Sequence, residues 1–189
     1  NAEEARCFVY QGNIVEVWEK LVFRHIHIEL GSDQTSCHNI DHLGYCPVEC
    51  TFEEAKALMD DDKEGFDQAI KRSLRRHVDA INVMCSRGMY FWDYGNAFLF
   101  EAARAGADIM DPHKPSGFKY PSYVEDIMGP MCFDYGFGPF RWVCTSGDTE
   151  DLITADNLAA AQIREMLTTC PDEIKSQWAD NLQWIENAG

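Results

Sequence analysis

Hydrophobic residues near the start of the chain alternate between strand-like and helix-like spacings. Residues 7–10 form a short apolar run followed by turn residues, and apolar residues then recur at helical spacing through 13–23. Residues 25–30 alternate with period two, which predicts a second strand that ends at Gly31. Two short strands joined by a helix predict a parallel βαβ unit over residues 7–30.

Residues 31–50 form a long polar stretch that begins where the second predicted strand ends. Loops longer than about 12–15 residues in compact domains are usually functional or disordered. Ligands of open α/β sheets bind at the carboxyl ends of the strands. We therefore predict that this stretch is a binding loop.

Two helices are predicted after the polar stretch. A capping box formed by Thr51 and Glu54 begins a helix over about 52–59, and three aspartates at 60–62 interrupt it. A longer helix follows over about 63–87 and ends at Gly88. Five apolar residues at helical spacing define its buried face: Phe66, Ile70, Leu74, Val78 and Ile81.

The pattern continues with a third strand over 89–93 and a helix that stops near Gly106. Tyr94 follows this strand and could place its ring or hydroxyl against a cofactor, while Asn96 is predicted to cap the helix. Two prolines and a glycine in 111–117 predict a linker or a crossing between domains. An aromatic loop over 120–142 and two helices, near 152–168 and 171–187, complete the chain.

The composition is that of a folded protein with a strongly acidic surface. The 189 residues include 16 Lys and Arg against 32 Asp and Glu, a formal net charge of −16, and 46% are hydrophobic. An isoelectric point near 4.6 argues against nucleic acid and anionic membranes as partners. No run approaches the roughly 20 apolar residues of a membrane-spanning helix. The first residues lack both a Met and a signal-peptide pattern, which predicts a piece of a longer chain.

Eight cysteines without a CxxC pair predict buried, reduced thiols in a cytoplasmic protein. One alternative is a small metal-binding protein, whose ligands would be Cys37, His38, His42, Cys46 and Cys50. Their spacing is too irregular for a typical zinc site, so no metal is predicted. Ser36 and His38 suggest a hydrolase only weakly, because no GxSxG motif is present.

Arg141 stands among aromatic residues, two glycines and a proline. A guanidinium in such surroundings requires a carboxylate partner. That partner is either a structural Asp or Glu or the carboxylate of a substrate, and the residues alone favour neither.

Four longer motifs, in order along the chain, together with Gly12-Asn13, resemble the urocanase family. They are Asp33-Gln34-Thr35-Ser36-Cys37-His38-Asn39, Phe91-Trp92-Asp93-Tyr94-Gly95-Asn96, Tyr120-Pro121-Ser122-Tyr123 and the run from Gly138 to Asp148. The cysteine at 37, the tryptophan at 92 and the Trp-Val-Cys-Thr run at 142–145 resemble the eukaryotic branch.

The resemblance implies an α/β fold made of a partial Rossmann-type NAD-binding domain with parallel βαβ units, followed by a mostly helical piece of the core domain. Residues 1–122 would be the C-terminal half of the inserted NAD domain, and 123–189 a segment of the core. The family's enzyme is a homodimer that adds water to urocanate to give imidazolone propionate in histidine breakdown. It uses tightly bound NAD⁺ as an electrophile. The segment by itself is expected to be inactive.

The resemblance also assigns site residues. Arg141 matches a binder of the urocanate carboxylate, whereas the catalytic residues, including the bacterial active-site cysteine, fall outside the segment. The residues expected to bind NAD are Asn13, Ile14, Gln34, Thr35, Ser36, Cys37, His38, Tyr45, Cys46 and Tyr94. The alternative from another class is a non-catalytic dinucleotide-binding module, which would not need the carboxylate clamp at Arg141.

Overall fold

The computed structural model describes residues 5–135 and 144–187, which form two compact units. The first unit is Asn1–Ile127 and the second is Met128–Gly189.

The first unit is built on a two-stranded parallel sheet. Strand β1 (Leu30–Asp33) pairs in register with β2 (Tyr90–Asp93), so that Leu30 lies opposite Tyr90 and Asp33 opposite Asp93. Two helices connect the strands, α2 (Phe52–Asp61) and α3 (Lys63–Ser86). Helix α1 (Ile14–Phe23) precedes the sheet and α4 (Phe98–Arg104) follows it. The parallel β-α-β crossover confirms the α/β prediction, although its strands are not the ones expected at the start of the chain.

The predicted βαβ unit over residues 7–30 is wrong in both of its strands. Residues 7–10 form no strand, and Phe8 and Val9 are 85% and 94% exposed. The alternating residues after α1 instead close that helix. His25 adopts a left-handed φ of 53°, its N–H donates to Val22 O, and Ile26 N–H donates to Leu21 O. This is a Schellman cap, so the strand begins only at Leu30.

The remaining helices of the first unit match the predictions within one or two residues at most boundaries. The capping box of Thr51 and Glu54 begins α2, and Asp62 caps α3 through Gly65 N–H. Gly88 follows α3 with a φ of 106°, a conformation that glycine adopts without strain. Helix α3 supplies more of the core residues than any other element, and its buried face includes all five of the predicted apolar residues.

The polar stretch after β1 is partly ordered by a 3₁₀ helix, Cys37–His42. Gly44 follows it, and a Cβ at this position would collide with the backbone oxygen of Ser36. The Ser36 N–H donates to Gly44 O at 3.0 Å and closes the loop on itself.

The Pro- and Gly-rich segment 111–117 is not a crossing between the two units. Met110 and Phe118 form an isolated antiparallel bridge, and Asp111 N–H donates to Gly117 O at 2.9 Å. The segment is therefore a tight turn inside the first unit, because its prolines and glycine reverse the chain locally.

The second unit is helical in its described part. A π-helical turn, Tyr123–Met128, ends the first unit, and the second unit opens with the short helix α5 (Gly129–Met131) and a 3₁₀ turn, Phe133–Tyr135. Helices α6 (Thr149–Met166) and α7 (Asp172–Asn187) confirm the two predicted helices. Their small core centres on Cys132, Ile163 and Trp178.

All eight cysteines are free thiols. Only Cys37 and Cys132 are buried, and Cys7 is exposed, so burial was overpredicted for the others. None of the helices in the described ranges is both long and apolar enough to cross a membrane.

Candidate functional site

Two buried carboxylates end the paired strands. Asp33 and Asp93 lie opposite each other in register and are only 2% and 3% exposed. Asp33 Oδ1 accepts hydrogen bonds from Thr35 N at 3.1 Å and from Thr35 Oγ1 at 2.6 Å. Burial raises the pKa of Asp33, and its hydrogen bonds with Thr35 and Asn96 oppose that rise.

Asp93 organises the turn into α4. Its Oδ2 accepts from Leu99 N at 3.0 Å, and its Oδ1 accepts from the backbone N–H groups of Gly95 and Asn96. The prediction that Asn96 caps this helix is therefore wrong, because the N-terminal N–H of α4 is satisfied by the preceding strand residue. Gly95 has a φ of 87°, which the tight turn requires.

Asn96 instead joins the two strand ends. Its side-chain amide donates to Asp33 Oδ1 at 2.7 Å and also to the backbone oxygen of Thr35. The N–H of Tyr94 donates to Asp33 O at 3.3 Å. The loop after β1 and the loop after β2, which are far apart in sequence, thus form one hydrogen-bonded edge.

The side chains expected to bind NAD divide into accessible and inaccessible groups. Gln34, Ser36 and His38 are exposed on the loop after β1. Tyr94 is 44% exposed, and its ring stacks on Tyr123 with the centroids 4.9 Å apart and the planes 3° from parallel. These four side chains offer hydrogen-bonding groups and an aromatic ring at the carboxyl edge of the sheet.

Thr35 and Cys37 face inward. Thr35 Oγ1 lies 2.6 Å from Asp33 Oδ1 and 3.2 Å from Cys37 Sγ. Burial raises the pKa of the Cys37 thiol to about 12, so the sulfur is protonated at neutral pH. A buried thiol of this kind is a poor nucleophile.

Asn13 brings a second pair of expected site residues together. Its Oδ1 accepts from Val15 N at 2.9 Å and caps α1, while its Nδ2 donates to Cys46 O at 2.9 Å. Ile14 is half-buried and packs against the main core. The start of α1 is therefore tied to the end of the polar stretch.

Tyr45 and His77 lie beneath the same loop. Tyr45 is 2% exposed and His77 is completely buried, and Tyr45 Oη lies 3.3 Å from His77 Nδ1. On the other side of the ring, His77 Nε2 lies 3.9 Å from Asp33 Oδ2. Burial lowers the pKa of His77 to about 3 and raises the pKa of Tyr45, so both groups are neutral at pH 7.

Asp33, Asp93 and His77 were not predicted as site residues. The two aspartates stood inside the motifs, but nothing in the sequence showed that they would meet in register. His77 lies three residues after Leu74 and four before Ile81, which places it on the predicted buried face of α3. A polar residue on that apolar face was the signal that could have identified it.

Arg141 lies outside the described residues. Within the residues that the structure describes, the candidate site is the edge formed by the β1 and β2 loops. Across residues 5–135 and 144–187, no group of three or more His, Cys, Asp or Glu side chains is placed to hold a metal ion.

Comparisons with known proteins agree with this architecture. A family model described as the urocanase Rossmann-like domain matches residues 1–127, and one described as the urocanase C-terminal domain matches residues 130–189. A probable urocanate hydratase of Dictyostelium discoideum is 50% identical over 184 residues, which cover 95% of this chain and 27% of that protein.

Two mammalian relatives are almost as similar. The urocanate hydratases of Mus musculus and Homo sapiens are 47% and 48% identical, and each alignment covers 98% of this chain and 28% of the relative. The chain thus spans little more than a quarter of the length of these relatives. The two family models together cover nearly all of its residues. This chain belongs to the urocanase family.

Proposed function

We propose that this segment forms one wall of the NAD site of a urocanate hydratase. The enzyme would add water to urocanate to give imidazolone propionate, in histidine breakdown. The observation that carries the proposal is the edge shared by the two strand ends, where Asn96 ties the loop after β1 to the strand that precedes Tyr94. Both loops hold residues that the family resemblance assigns to NAD. Membership of the urocanase family supports the assignment.

The described residues fit a dinucleotide. Gln34, Ser36 and His38 are exposed and can donate and accept hydrogen bonds, and Tyr94 offers a half-exposed ring. Asp33 and Asp93 do not present their carboxylates to a bound phosphate, because both side chains are buried and accept hydrogen bonds from within the protein. The carboxyl edge of a parallel sheet is also where Rossmann-type folds bind their ligands.

The residues of this chain would bind and orient the cofactor. NAD⁺, when bound, supplies an electrophilic ring that activates the substrate. The exposed side chains of the β1 loop would hold the cofactor, and Asp33 and Asn96 would fix the shape of that loop. Asn13, Cys37 and Tyr45 already have partners inside the protein, so we assign their contacts with the cofactor to the backbone.

Arg141 would bind the carboxylate of urocanate. This assignment rests on the match to the family's Pro-Phe-Arg-Trp motif and on the chemistry of the guanidinium, which donates two parallel hydrogen bonds to a carboxylate. Its role is separate from that of the β1 loop: it should affect substrate affinity, whereas the loop should affect cofactor retention.

The proposal extends to the organisation of the whole protein. Residues 1–122 would be the second half of the NAD domain and 123–189 the next part of the core, in a homodimeric cytoplasmic enzyme. These assignments rest on the family resemblance, and the segment would need the rest of that chain for activity.

The test uses a full-length urocanate hydratase that carries this segment, either from its own gene or by exchange into the Dictyostelium discoideum relative. The purified protein should contain about one NAD per chain and should consume urocanate, which is followed by its ultraviolet absorbance. Bound NAD without turnover would favour the non-catalytic dinucleotide-binding module. Absence of both would overturn the proposal.

A further inference from the structure

We propose that Asp33, His77 and Tyr45 form a buried positioning chain that fixes both ends of the polar loop 34–46. The inference rests on the proposed function, since this loop holds most of the residues assigned to NAD. Its central residue, His77, lies outside the family motifs and outside the exposed edge. His77 would be a positioning residue and would not touch the cofactor.

The geometry places His77 between two side chains from opposite ends of the loop. Asp33 precedes the loop and lies 3.9 Å from His77 Nε2 through Oδ2, while Tyr45 lies near its end and is 3.3 Å from His77 Nδ1. His77 itself belongs to α3, the helix that supplies more core residues than any other element. Both ends of the loop thus lie against the main core helix of the first unit.

Two orphaned atoms indicate that this arrangement has a role beyond packing. His77 Nε2 and Asp33 Oδ2 are both buried without a hydrogen-bond partner, and they face each other. Leaving buried polar groups unpaired is costly, and an apolar residue at position 77 would remove one of the two orphaned atoms. A contraction of roughly 1 Å would turn this contact into a hydrogen bond of normal length.

The surroundings determine the tautomer. If the Tyr45 hydroxyl donates to Nδ1, the proton of the neutral imidazole lies on Nε2 and points at the Asp33 carboxylate. The other tautomer would direct the lone pair of Nε2 at the lone pairs of Oδ2. We therefore assign the Nε2–H form, with Tyr45 as donor and Asp33 as acceptor.

The chain of contacts continues into the loop on both sides. Asp33 Oδ1 holds Thr35 through two hydrogen bonds. Tyr45 is followed by Cys46, whose carbonyl accepts from Asn13. Replacing His77, the centre of the positioning chain, should release both loop ends. An ordinary core substitution would only lower the overall stability.

The first measurement is hydrogen exchange of the loop amides in the full-length protein without NAD. Tyr45→Phe removes one oxygen, and His77→Phe removes both ring nitrogens and keeps an aromatic ring. Ile81→Val, one turn further along α3, is the matched control for a buried change without a polar contact. We expect amide exchange over residues 34–46 to accelerate about tenfold in Tyr45→Phe and in His77→Phe and to be unchanged in Ile81→Val. A tenfold change is the scale of one lost buried hydrogen bond.

The second measurement is the affinity for added NAD after removal of the bound cofactor. The Kd should rise about tenfold in His77→Phe and Tyr45→Phe, with the larger effect on cofactor binding and little on the KM for urocanate. His77→Gln keeps a side-chain amide that can donate toward Asp33, so it should recover part of the loop protection.

Three outcomes can be distinguished. If the unsubstituted protein fails to bind NAD, the proposed function fails, but the exchange data still test the positioning chain. If the unsubstituted protein binds NAD, and His77→Phe and Tyr45→Phe match Ile81→Val in loop exchange and in the Kd for NAD, the proposed positioning chain is overturned. If His77→Phe does not fold, Tyr45→Phe decides alone, because it leaves the packing of the ring intact.

Discussion

The side-chain amide of Asn96 donates to Asp33 Oδ1 at 2.7 Å and thereby joins the turn after β2 to the end of β1. The same amide also donates to the backbone of Thr35, inside the loop that carries Gln34, Ser36 and His38. One side chain thus fixes the relative position of two loops that are separated by two helices in sequence. The shape of the candidate NAD edge therefore depends on this contact.

Asn96→Ala should loosen the edge. The substitution removes the donor to a buried carboxylate, so we expect the first unit to lose about 1–3 kcal/mol in free energy of unfolding. Hydrogen exchange of β1 and of the following loop measures the loss. Asn181→Ala is the control, since its amide donates to Gln177 O on an exposed helix face and its loss should cost less than about 0.5 kcal/mol. Equal effects of the two substitutions would contradict the bridging role.

Gly95→Ala should disturb the turn that carries Tyr94. A Cβ at Gly95 would collide with Val124 Cγ2, and the φ of 87° is unfavourable for alanine. Gly106→Ala is the matched control, because Gly106 has a φ of 76° but nothing within 4 Å of its Cβ position.

We expect Gly106→Ala to cost about 1–2 kcal/mol from backbone strain alone, and Gly95→Ala to cost clearly more. Thermal unfolding of the two variants compares these costs. Adding Val124→Ala should recover part of the loss at Gly95. If both glycine variants melt at the same temperature, the close approach of Val124 has no energetic consequence.

His77 should make the fold sensitive to acid. The unfolded chain protonates this histidine below about pH 6.5, whereas the folded protein does so only near pH 3. The unfolded state therefore binds more protons between these values, so stability falls as the pH is lowered through this window, by at most about 1.4 kcal/mol per pH unit. Asp33 contributes with the opposite sign, because its raised pKa makes the folded state hold its proton more readily.

The comparison that isolates His77 is the wild-type protein against His77→Phe. Denaturant unfolding at intervals between about pH 6 and pH 4 should show that the free energy of unfolding falls more steeply with decreasing pH in the wild type than in His77→Phe. Asp33 is present in both proteins, so its own contribution largely cancels. Parallel pH profiles would mean that His77 titrates normally in the folded protein.

The sequence predicted the helices well because their signals are local. The capping box of Thr51 and Glu54 and the apolar face of α3 each need only a few neighbouring residues. The strand predicted over 25–30 failed because alternation does not distinguish a strand from a helix cap followed by an extended segment. In this chain, the unusual left-handed conformation of His25 made the difference.

The candidate site was predictable only in part, for a physical reason. The motifs identified the loop after β1 and Tyr94, but the contacts that join them are long-range. Asp33 and Asp93 become neighbours only through the register of two strands, and His77 reaches Asp33 only through the packing of α3. The exposure of His38 and the burial of Tyr45 likewise depend on tertiary packing, which a single sequence does not show.

Arg141→Lys should separate substrate binding from cofactor binding. Lysine retains the charge but loses the planar two-pronged donor, so kcat/KM for urocanate should fall roughly 10- to 150-fold while bound NAD stays in place. The measurement is steady-state kinetics of the full-length enzyme, with the NAD content of the same preparation. Near-normal kcat/KM, or loss of NAD, would refute the role in binding the carboxylate.

The most direct test of the NAD edge is the amount of NAD retained by purified full-length protein carrying His38→Ala. His38 is exposed on the loop after β1, so replacing its side chain should leave the fold intact. The control is His113→Ala, on the exposed turn after Met110. We predict a clear loss of bound NAD in His38→Ala and full occupancy in His113→Ala. Full occupancy in both would contradict the assignment of this edge to the cofactor.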